Sequence, residues 1–285
     1  MDTLKITKQI LNKYNLKANK RFGQNFLIDD NILQNIVEVS NIKEDDLVIE
    51  IGPGLGNLSE YLINKATYSV LVEIDRNMIE VLNDRLKNYT NYEIVSEDIL
   101  KIDIDNLIES IEEKLNRKFK EVKVVANLPY YITTPILFKL LQDSKRVSNI
   151  TVMVQKEVAE RMVANYKSKD YGILTLMTDY LSDAKIMFIV PPSSFIPPPN
   201  VNSAVIRLEK NRKYQVKNEE LLFELFHKAF AERRKKLINS LSDKSFNDMT
   251  KDEIRNLILT LGYKETVRAE ELKIEDFINI INNIK

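Results

Sequence analysis

Four consecutive residues, Asn127, Leu128, Pro129 and Tyr130, have the types and order needed to bind an amine on a flat aromatic base. The side-chain oxygen of Asn127 and the backbone carbonyl of Leu128 are hydrogen-bond acceptors, and Pro129 fixes the turn that presents this carbonyl. The ring of Tyr130 can stack on the face of a nucleobase. The tetrapeptide therefore predicts the rim of a base-binding pocket, with a strand-ending turn and a packed tyrosine as the structural alternative.

The chemistry of such a site follows from the electronic structure of an exocyclic amine. Its nitrogen is a poor nucleophile because the lone pair is delocalised into the ring. Two acceptors that bind both N–H groups favour a tetrahedral nitrogen, whose lone pair then points at an electrophile. Most of the rate would come from positioning, and no metal or general acid is needed when the leaving group is good.

A glycine cluster follows the apolar run 47–51. Three of the six glycines in the chain are Gly52, Gly54 and Gly56, and such a loop places backbone N–H groups beside a ligand. A dinucleotide-binding loop requires its third glycine at position 57, which is Asn57. The spacing, with Glu50 leading, is similar to the loop of S-adenosylmethionine-dependent methyltransferases. A tight turn without a ligand is the alternative.

Carboxylates follow the next two predicted strands. Glu73 lies about twenty residues beyond the glycines, where a carboxylate can accept hydrogen bonds from both ribose hydroxyls. Asp98 follows the third strand and could accept from an adenine amino group. Each acid alone would be interpreted as a helix cap or a solvated loop residue. Together with the glycine loop they predict a nucleotide-like site at the carboxyl edge of a sheet.

The elements that must position these residues alternate along the chain. Helical patterns separate most of the apolar runs, which implies βαβ units and a parallel sheet. The last two strands are joined by a proline-rich loop, which predicts an antiparallel pair at one end. The predicted strands are residues 47–51, 68–75, 92–100, 123–126, 150–155, 184–190 and 203–209.

The fold class is therefore α/β, a seven-stranded Rossmann-like sheet with a small all-helical C-terminal domain. The predicted boundary divides residues 1–210, including a basic N-terminal extension at 1–24, from residues 211–285. Beyond the boundary the strand signals stop, and helical patterns occur at 220–241, 251–262 and 273–284.

Composition narrows the classes of protein further. Lysine and arginine balance aspartate and glutamate at 42 each, so net charge identifies no partner, and 44% hydrophobic content supports a sizeable core. The chain has no cysteine, which excludes disulfides and thiolate zinc sites. No apolar run approaches the ~18 residues of a membrane span, and the N-terminus lacks a signal-peptide pattern. We expect a cytoplasmic protein that is not associated with membranes.

Taken in order, these motifs resemble the rRNA adenine N6-dimethyltransferase family, and most closely its small-subunit branch. The resemblance covers nearly the whole chain. The matching segments are FGQNFLID (22–29), EIGPGLGNLS (50–59), VEID (72–75), EDIL (97–100), NLPYYITTP (127–135), MVQKEVAERMVA (153–164), FIPPPNVNSAVIRL (195–208), FAERRKKLINSL (230–241) and RAEEL (268–272).

The resemblance implies a reaction and a set of roles. The reaction is dimethylation of two adjacent adenosines near the 3′ end of 16S rRNA by S-adenosylmethionine, with the rRNA presented in an immature 30S subunit to a monomeric enzyme without a metal. Asn127 would lie between cofactor and amine, and Phe195 would stack on the base opposite Tyr130. The implied cofactor-binding residues are Asn25, Leu27, Gly52, Glu73, Asp98 and Asn127.

The helical domain carries a basic tract at residues 227–236. Side chains of this kind neutralise phosphates without reading sequence, and the resemblance makes residues 211–285 an RNA-binding domain. The predicted RNA contacts are Arg233, Arg234, Lys235 and Lys236. A solvated helix face is the alternative interpretation of the tract. Phe195 likewise has an alternative, as a loop anchor that faces the core.

Some positions depart from the usual family pattern, and three other functions stay open. Asn-Ile-Ser often follows the tetrapeptide, whereas this chain has Tyr131, Ile132 and Thr133. The first alternative is the large-subunit branch, which modifies one 23S adenosine in macrolide resistance. The second is a largely non-catalytic 30S assembly factor. The third is an NAD-linked oxidoreductase, which Asn57 disfavours.

Overall fold

The computed structural model describes residues 2–16, 23–232, 235–242 and 246–284. Within these residues the strands alternate with helices as the sequence predicts. The strands are β1 (Phe26–Leu27), β2 (Asp46–Ile51), β3 (Tyr68–Glu73), β4 (Tyr92–Ser96), β5 (Glu121–Asn127), β6 (Val147–Gln155), β7 (Ser182–Val190), β8 (Phe195–Ile196) and β9 (Ser203–Lys210).

The helices, in chain order, are α1 (Thr3–Lys13), α2 (Asp30–Val39), α3 (Ser59–Lys65), α4 (Arg76–Arg85), α5 (Ile104–Leu115), α6 (Thr133–Gln142), α7 (Lys156–Met162), α8 (Ile173–Leu181), α9 (Glu219–Ala229), α10 (Leu237–Ser242), α11 (Lys251–Thr260) and α12 (Ile274–Asn282). Short 3₁₀ turns occur at Tyr130–Ile132, Pro192–Ser194, Phe246–Asp248 and Ala269–Glu271. None of the helices in the described ranges is long and apolar enough to cross a membrane.

The described residues form a seven-stranded sheet in the order β4-β3-β2-β5-β6-β9-β7. Strands β2 to β6 pair in parallel, and β9 pairs antiparallel with β6. The prediction of a largely parallel sheet with an antiparallel strand near one end is confirmed. Parallel pairing brings the carboxyl ends of β2, β3, β4 and β5 to the same edge, where open α/β sheets bind ligands.

The central strands are buried on both faces, which explains their nearly continuous apolar sequences. Every residue of β2 and β3 is buried. The sequence of residues 29–42 predicts an amphipathic helix with Asp29 or Asp30 near its N-cap. Helix α2 begins where the Asp29 carboxylate accepts hydrogen bonds from the backbone N–H groups of Asn31 and Ile32. The prediction of seven strands and of α2 therefore rests on apolar periodicity and capping, and the structure confirms it.

Two features of this region were not predicted. Residues 1–24 were interpreted only as a basic extension, but Thr3–Lys13 form α1, which buries Thr3 and Thr7. Strands β1 and β8 form a separate two-stranded antiparallel sheet in which Leu27 pairs with Phe195. Two-residue strands are too short to produce a periodic signal in the sequence.

The chain divides into two compact units, residues 1–159 with 184–210 and residues 160–183 with 211–285. The chain passes through the second unit at residues 160–183, returns to the first unit at 184–210, and enters the second unit again at residue 211, which is the predicted boundary. That unit also contains residues 160–183, which the sequence analysis placed in the catalytic domain. The assignment of separate functions to the two parts stays a prediction.

The second unit has its own aromatic core. The rings of Phe226 in α9 and Phe277 in α12 meet edge to face, with centroids 5.4 Å apart. The hydroxyl of Tyr171 donates to the carbonyl of Leu272 at 2.9 Å. The helical pattern predicted over 220–241 is interrupted, because α9 ends at Ala229 and α10 begins at Leu237.

Candidate active site

A cavity of about 260 Å³ lies at the carboxyl ends of β2, β3 and β5. Residues from the glycine loop, from the segment 23–27 and from the turn after β5 line its walls. The cavity contains all six predicted cofactor-binding residues, Asn25, Leu27, Gly52, Glu73, Asp98 and Asn127, and also Leu128, Pro129 and Tyr130. The structure therefore brings together residues that are distant in the sequence, as the sheet topology predicted.

The glycine loop requires left-handed backbone at its three glycines. Gly52 has φ of +65° and its N–H donates to the carbonyl of Val72, which fixes the loop to β3. A Cβ at Gly52 would meet no atom within 4 Å, so the wall of the cavity is open at this point. A Cβ at Gly56 would lie 2.9 Å from Leu82 Cδ2, which makes glycine a packing requirement there.

Glu73 ends β3 and is held by the backbone. Its Oε2 accepts from the N–H of Gly54 at 3.0 Å, and its Oε1 accepts from the N–H groups of Ile74 and Asp75 at 2.9 Å. Burial raises the pKa of this carboxyl, and the three N–H donors oppose that rise. A carboxylate has about four acceptor positions, so Oε2, which accepts a single backbone N–H, has capacity left for a ribose hydroxyl. The predicted contact with the ribose stays a prediction.

Asp98 follows β4 and also lines the cavity. Its Oδ1 accepts from the backbone N–H of Leu100 at 3.0 Å, which fixes the turn that carries it. The side chain is half-buried. Ile74 and Leu100, both exposed, also line the cavity. Two apolar side chains near an acid suit a flat, amine-bearing ring.

The segment 23–27 forms another wall. The Gln24 side chain donates to Asp75 Oδ2 at 3.1 Å, and the Asn25 side chain donates to the carbonyl of Gly23 at 3.1 Å. Phe26 and Leu27 form β1 and are buried. The first bond holds the segment against the residue that precedes α4, and the second fixes the Asn25 side chain to its own segment.

Asn127 is the last residue of β5 and is half-buried at the cavity wall. Its Nδ2 donates to the carbonyl of Asn25 at 3.1 Å. This bond sets the orientation of the amide, so Oδ1 is the atom left for an incoming N–H donor. The predicted acceptor role of Asn127 is therefore compatible with its placement.

The turn after Asn127 presents two tyrosines. The hydroxyl of Tyr130 lies 2.6 Å from Ser203 Oγ, which anchors the ring at the cavity wall, and burial raises the pKa of this phenol. Tyr131 also lines the cavity, but its side chain is 57% exposed. A Cβ added to Gly23 would lie 3.3 Å from Tyr131 Cδ1, so the Tyr131 ring lies against this glycine.

The placement of Phe195 corrects the sequence analysis. The residue is 2% exposed, pairs with Leu27 in the β1–β8 sheet and packs in a core cluster with Leu33, Val190 and Val205. It is not among the residues that line the cavity. In this structure the ring cannot stack on a base, and the alternative of a loop anchor that faces the core describes it.

The predicted RNA contacts are only partly within the described residues. Arg233 and Arg234 lie outside them. Lys235 Nζ is 2.9 Å from Glu232 Oε1, and Lys236 is exposed just before α10. Of the same tract, Lys228 pairs with Glu224 and its ammonium lies 5.9 Å from the Phe246 ring centroid, so it packs within the helical unit.

The buried carboxyl of Glu50 shows whether the cavity can accept the positively charged ammonium group of an amino acid. It is 2% exposed, lines the cavity, and its Oε2 has no hydrogen-bond partner among the described residues. Burial raises its pKa to about 8, the negative charge of Glu73 adds to the rise, and Ser59 and Arg85 oppose it. An unsatisfied buried carboxyl costs stability, so an ammonium group beside it would be favourable. The residues present fit the methionine end of S-adenosylmethionine.

The fold and the cavity together define a class, the S-adenosylmethionine-dependent methyltransferases. The chain matches the family described as ribosomal RNA adenine dimethylase over residues 15–285. It therefore belongs to the ribosomal RNA adenine dimethylase family.

Curated relatives and solved structures agree with this assignment. The chain is 46% identical over 283 residues to a "Ribosomal RNA small subunit methyltransferase A" of Lachnoclostridium phytofermentans, covering 98% of this chain and 96% of the relative. A relative of the same name from Alkaliphilus oremlandii is 45% identical, with the same coverage.

A crystal structure of a dimethyladenosine transferase from Plasmodium falciparum superimposes with a TM-score of 0.71 at 26% identity, covering 90% of this chain and 95% of that one. The 23S rRNA methyltransferase ErmE, at 23% identity and a TM-score of 0.64, covers 90% of this chain and 98% of its own and shares the fold.

Sequence reasoning missed several residues of the site. Tyr131 was noted only as a departure from the family pattern, although an aromatic side chain beside the tetrapeptide was a usable signal. Asn57 was used only to exclude a dinucleotide loop. Arg85, in the last turn of α4, does not line the cavity but binds the Asn57 side chain, and it carries no signal of its own because basic residues are common at helix ends.

Proposed function

We propose that the protein dimethylates N6 of two adjacent adenosines in the 3′-terminal hairpin of 16S rRNA, with S-adenosylmethionine as donor, during small-subunit biogenesis. One observation carries the proposal: Asn127 lies at the wall of the cavity with its amide oriented by Asn25. The family match and the small-subunit relatives support the choice of substrate.

The cofactor, when bound, supplies an electrophilic methyl group on a positively charged sulfur that leaves readily. The chain's own residues bind and orient. In this proposal Glu50 binds the ammonium group and Glu73 binds a ribose hydroxyl, since both line the cavity. Asp98 binds the adenine amine, and Gly52 and Leu27 contact the methionine end.

Before the first methyl transfer the target amine would be oriented by two acceptors, and once its N–C bond has formed it would lose one proton to solvent. Oδ1 of Asn127 accepts one N–H, and the carbonyl of Leu128 accepts the other, with Leu128 fixed by donation of its N–H to the carbonyl of Met153 at 3.1 Å. The Thr133 hydroxyl donates to the carbonyl of Pro129 at 3.1 Å, which stiffens the turn. Preorganised acceptors of this kind lower the barrier without reorganising during the reaction. This sequence of steps needs no metal.

The base is held by tyrosine rings. Tyr130, anchored by Ser203, provides the face inside the cavity. Tyr131, exposed at the rim, provides a second ring where Phe195 was expected to do so. Base–aromatic stacking contributes ~1–3 kcal/mol per base, enough to hold a base outside a helix.

We propose that the enzyme acts in the cytoplasm, since its substrate is the ribosomal small subunit, and that it acts as a monomer. Exposed basic residues of the helical unit, Lys236 among them, contact phosphates.

The 23S branch is the competing function, and a comparison of the two ribosomal RNAs separates it. Cells that lack the gene, and the same cells complemented with it, are compared by reverse transcription across 16S and 23S rRNA. Dimethylated adenines stop reverse transcriptase. We expect gene-dependent stops at two adjacent adenosines near the 3′ end of 16S rRNA. Gene-dependent stops in 23S rRNA alone would overturn the proposal.

A further inference from the structure

Asn57 occupies the position where a dinucleotide-binding loop has its third glycine, and its side chain is 5% exposed. Both N–H groups of its amide are used. Nδ2 donates to the carbonyl of Leu27 at 2.8 Å and to Thr7 Oγ1 at 2.9 Å. Oδ1 accepts from Arg85 Nη1 at 2.6 Å. One buried amide therefore connects the glycine loop to three separate parts of the chain.

Arg85 fixes this amide from the side of α4. Its Nη1 also donates to the carbonyl of Leu55 at 2.7 Å, and its Nη2 pairs with Glu60 Oε2 at 2.6 Å. The Arg85 and Glu60 side chains are 7% and 14% exposed. A buried ion pair with several hydrogen bonds is rigid because each missing bond costs the desolvation of a polar group. The Asn57 amide therefore has a single orientation.

The carbonyl that Asn57 binds belongs to a residue of the cavity wall. Leu27 lines the cavity, and two residues earlier the carbonyl of Asn25 accepts from Asn127. Side-chain amides from the glycine loop and from β5 thus hold both ends of the segment 25–27. The distance between this segment and the glycine loop sets the width of the cavity that both of them line.

Thr7 brings α1 into the same network. It is fully buried in the face of α1 that also contains Thr3, and Thr3 contacts the Asp30 carboxylate, which accepts from Tyr61 at 2.7 Å. Ile10 and Leu11 of α1 pack near Phe26 and Leu55. Helix α1 therefore contacts both the segment 25–27 and the glycine loop, although it does not line the cavity.

We propose that Asn57 is a positioning residue for the cofactor, which sets Leu27 against the glycine loop and makes cofactor affinity depend on the docking of α1. The proposal rests on the proposed function, because it takes the cavity as the S-adenosylmethionine site. It adds that the N-terminal helix, which touches no ligand, contributes to binding through Thr7 and Asn57.

The test measures the Kd of S-adenosylhomocysteine by calorimetry and the thermal midpoint of unfolding for the full-length chain. For Asn57→Ala we expect Kd to rise about tenfold or more, from the loss of buried hydrogen bonds. The KM for S-adenosylmethionine should rise with it, and kcat at saturating cofactor should change much less. The matched control is Asn91→Ala, whose amide donates to the carbonyls of Ile63 and Ala66 away from the cavity.

A second variant covers the case in which Asn57→Ala does not fold. Thr7→Val keeps the side-chain shape and removes one acceptor, and we expect Kd to rise about threefold. Its control is Thr151→Val, a buried threonine of β6 whose hydroxyl bonds to Asn149. A Kd in Asn57→Ala equal to that of Asn91→Ala, or in Thr7→Val equal to that of Thr151→Val, overturns the proposal. Failure of the wild-type chain to bind would instead overturn the proposed function.

Discussion

At the scale of a single residue, Tyr131 departs from the usual family pattern and lines the candidate cavity. The side chain is largely exposed at the cavity rim and lies against Gly23. An exposed ring beside a pocket for a splayed base provides a stacking surface. For Tyr131→Ala we expect the KM for the RNA substrate to rise about fivefold or more, because a stacked base contributes ~1–3 kcal/mol.

The control for this prediction is Tyr131→Phe, which keeps the ring and should keep the KM for RNA. The Kd of S-adenosylhomocysteine should be unchanged in both variants. An unchanged KM for RNA in Tyr131→Ala would show that the ring does not touch the substrate.

Glu50 supports a prediction about protons. Burial raises its pKa to about 8 from the ordinary glutamate value of 4.5, so between these values the native state binds a proton that the unfolded state has released. The free energy of unfolding therefore falls as pH rises through this window. We expect denaturant titrations to show that Glu50→Gln loses less of this free energy than wild type over that range.

Cofactor binding should also change the protonation of Glu50. An ammonium beside Glu50 favours the ionised carboxylate, so binding should release up to one proton near neutral pH. Calorimetry of S-adenosylhomocysteine binding in buffers with different ionisation enthalpies measures this release. Equal proton release by wild type and Glu50→Gln would exclude Glu50 as its source.

At the scale of the elements, Gly52 of the glycine loop can be compared with a glycine of similar backbone conformation away from the cavity. Gly52 and Gly262 both have positive φ, and a Cβ at either would meet no atom within 4 Å. Alanine at either position should cost roughly 1–2 kcal/mol for the left-handed backbone. Gly52 lines the cavity and Gly262 does not, so we expect Gly52→Ala to weaken S-adenosylhomocysteine binding and Gly262→Ala to leave it unchanged. Equal affinities in the two variants would contradict the assignment of the loop.

The sequence predicted those elements whose local pattern coincides with their tertiary role. The strands β2 and β3 are apolar because both faces are buried, and Asp29 caps α2 by a local bond. The cavity could be predicted because parallel topology places successive strand ends at one edge. The placement of Asn127 in its wall followed from the same rule.

The elements that were missed depend on contacts between distant residues. Helix α1 buries two threonines, which have no apolar signal, because Asp30 and Asn57 bind them. The burial of Phe195 depends on pairing between β1 and β8, in which it lies opposite Leu27, a residue 168 positions earlier in the chain. Propensity and periodicity contain no information about such partners.

At the scale of the whole molecule, the cavity and a buried ion pair lie at opposite ends of the strands of the sheet. The carboxyl edge carries the cavity, and the amino edge carries a buried ion pair between Lys123 and Asp46, whose Nζ and Oδ2 are 2.8 Å apart. Both side chains are almost fully buried. For Lys123→Met we expect a loss of ~3–5 kcal/mol in the free energy of unfolding, because Asp46 is left as an uncompensated buried charge.

Denaturant unfolding measures this loss, and the double variant Lys123→Met with Asp46→Leu should recover much of it. The Kd of S-adenosylhomocysteine should be unchanged in folded protein, since the pair lies at the other edge of the sheet. A changed Kd would show that the two edges are coupled.

In the proposed function, Asn127 and its neighbours direct methyl transfer to two adjacent adenosines of 16S rRNA. The most direct measurement is mass spectrometry of 16S rRNA fragments from immature 30S particles after incubation with the protein and isotopically labelled S-adenosylmethionine. We predict two labelled methyl groups on each of two neighbouring adenosines near the 3′ end, and a rate reduced about 10²–10³-fold by Asn127→Ala. Label on other nucleotides, or an unchanged rate in Asn127→Ala, would contradict the account.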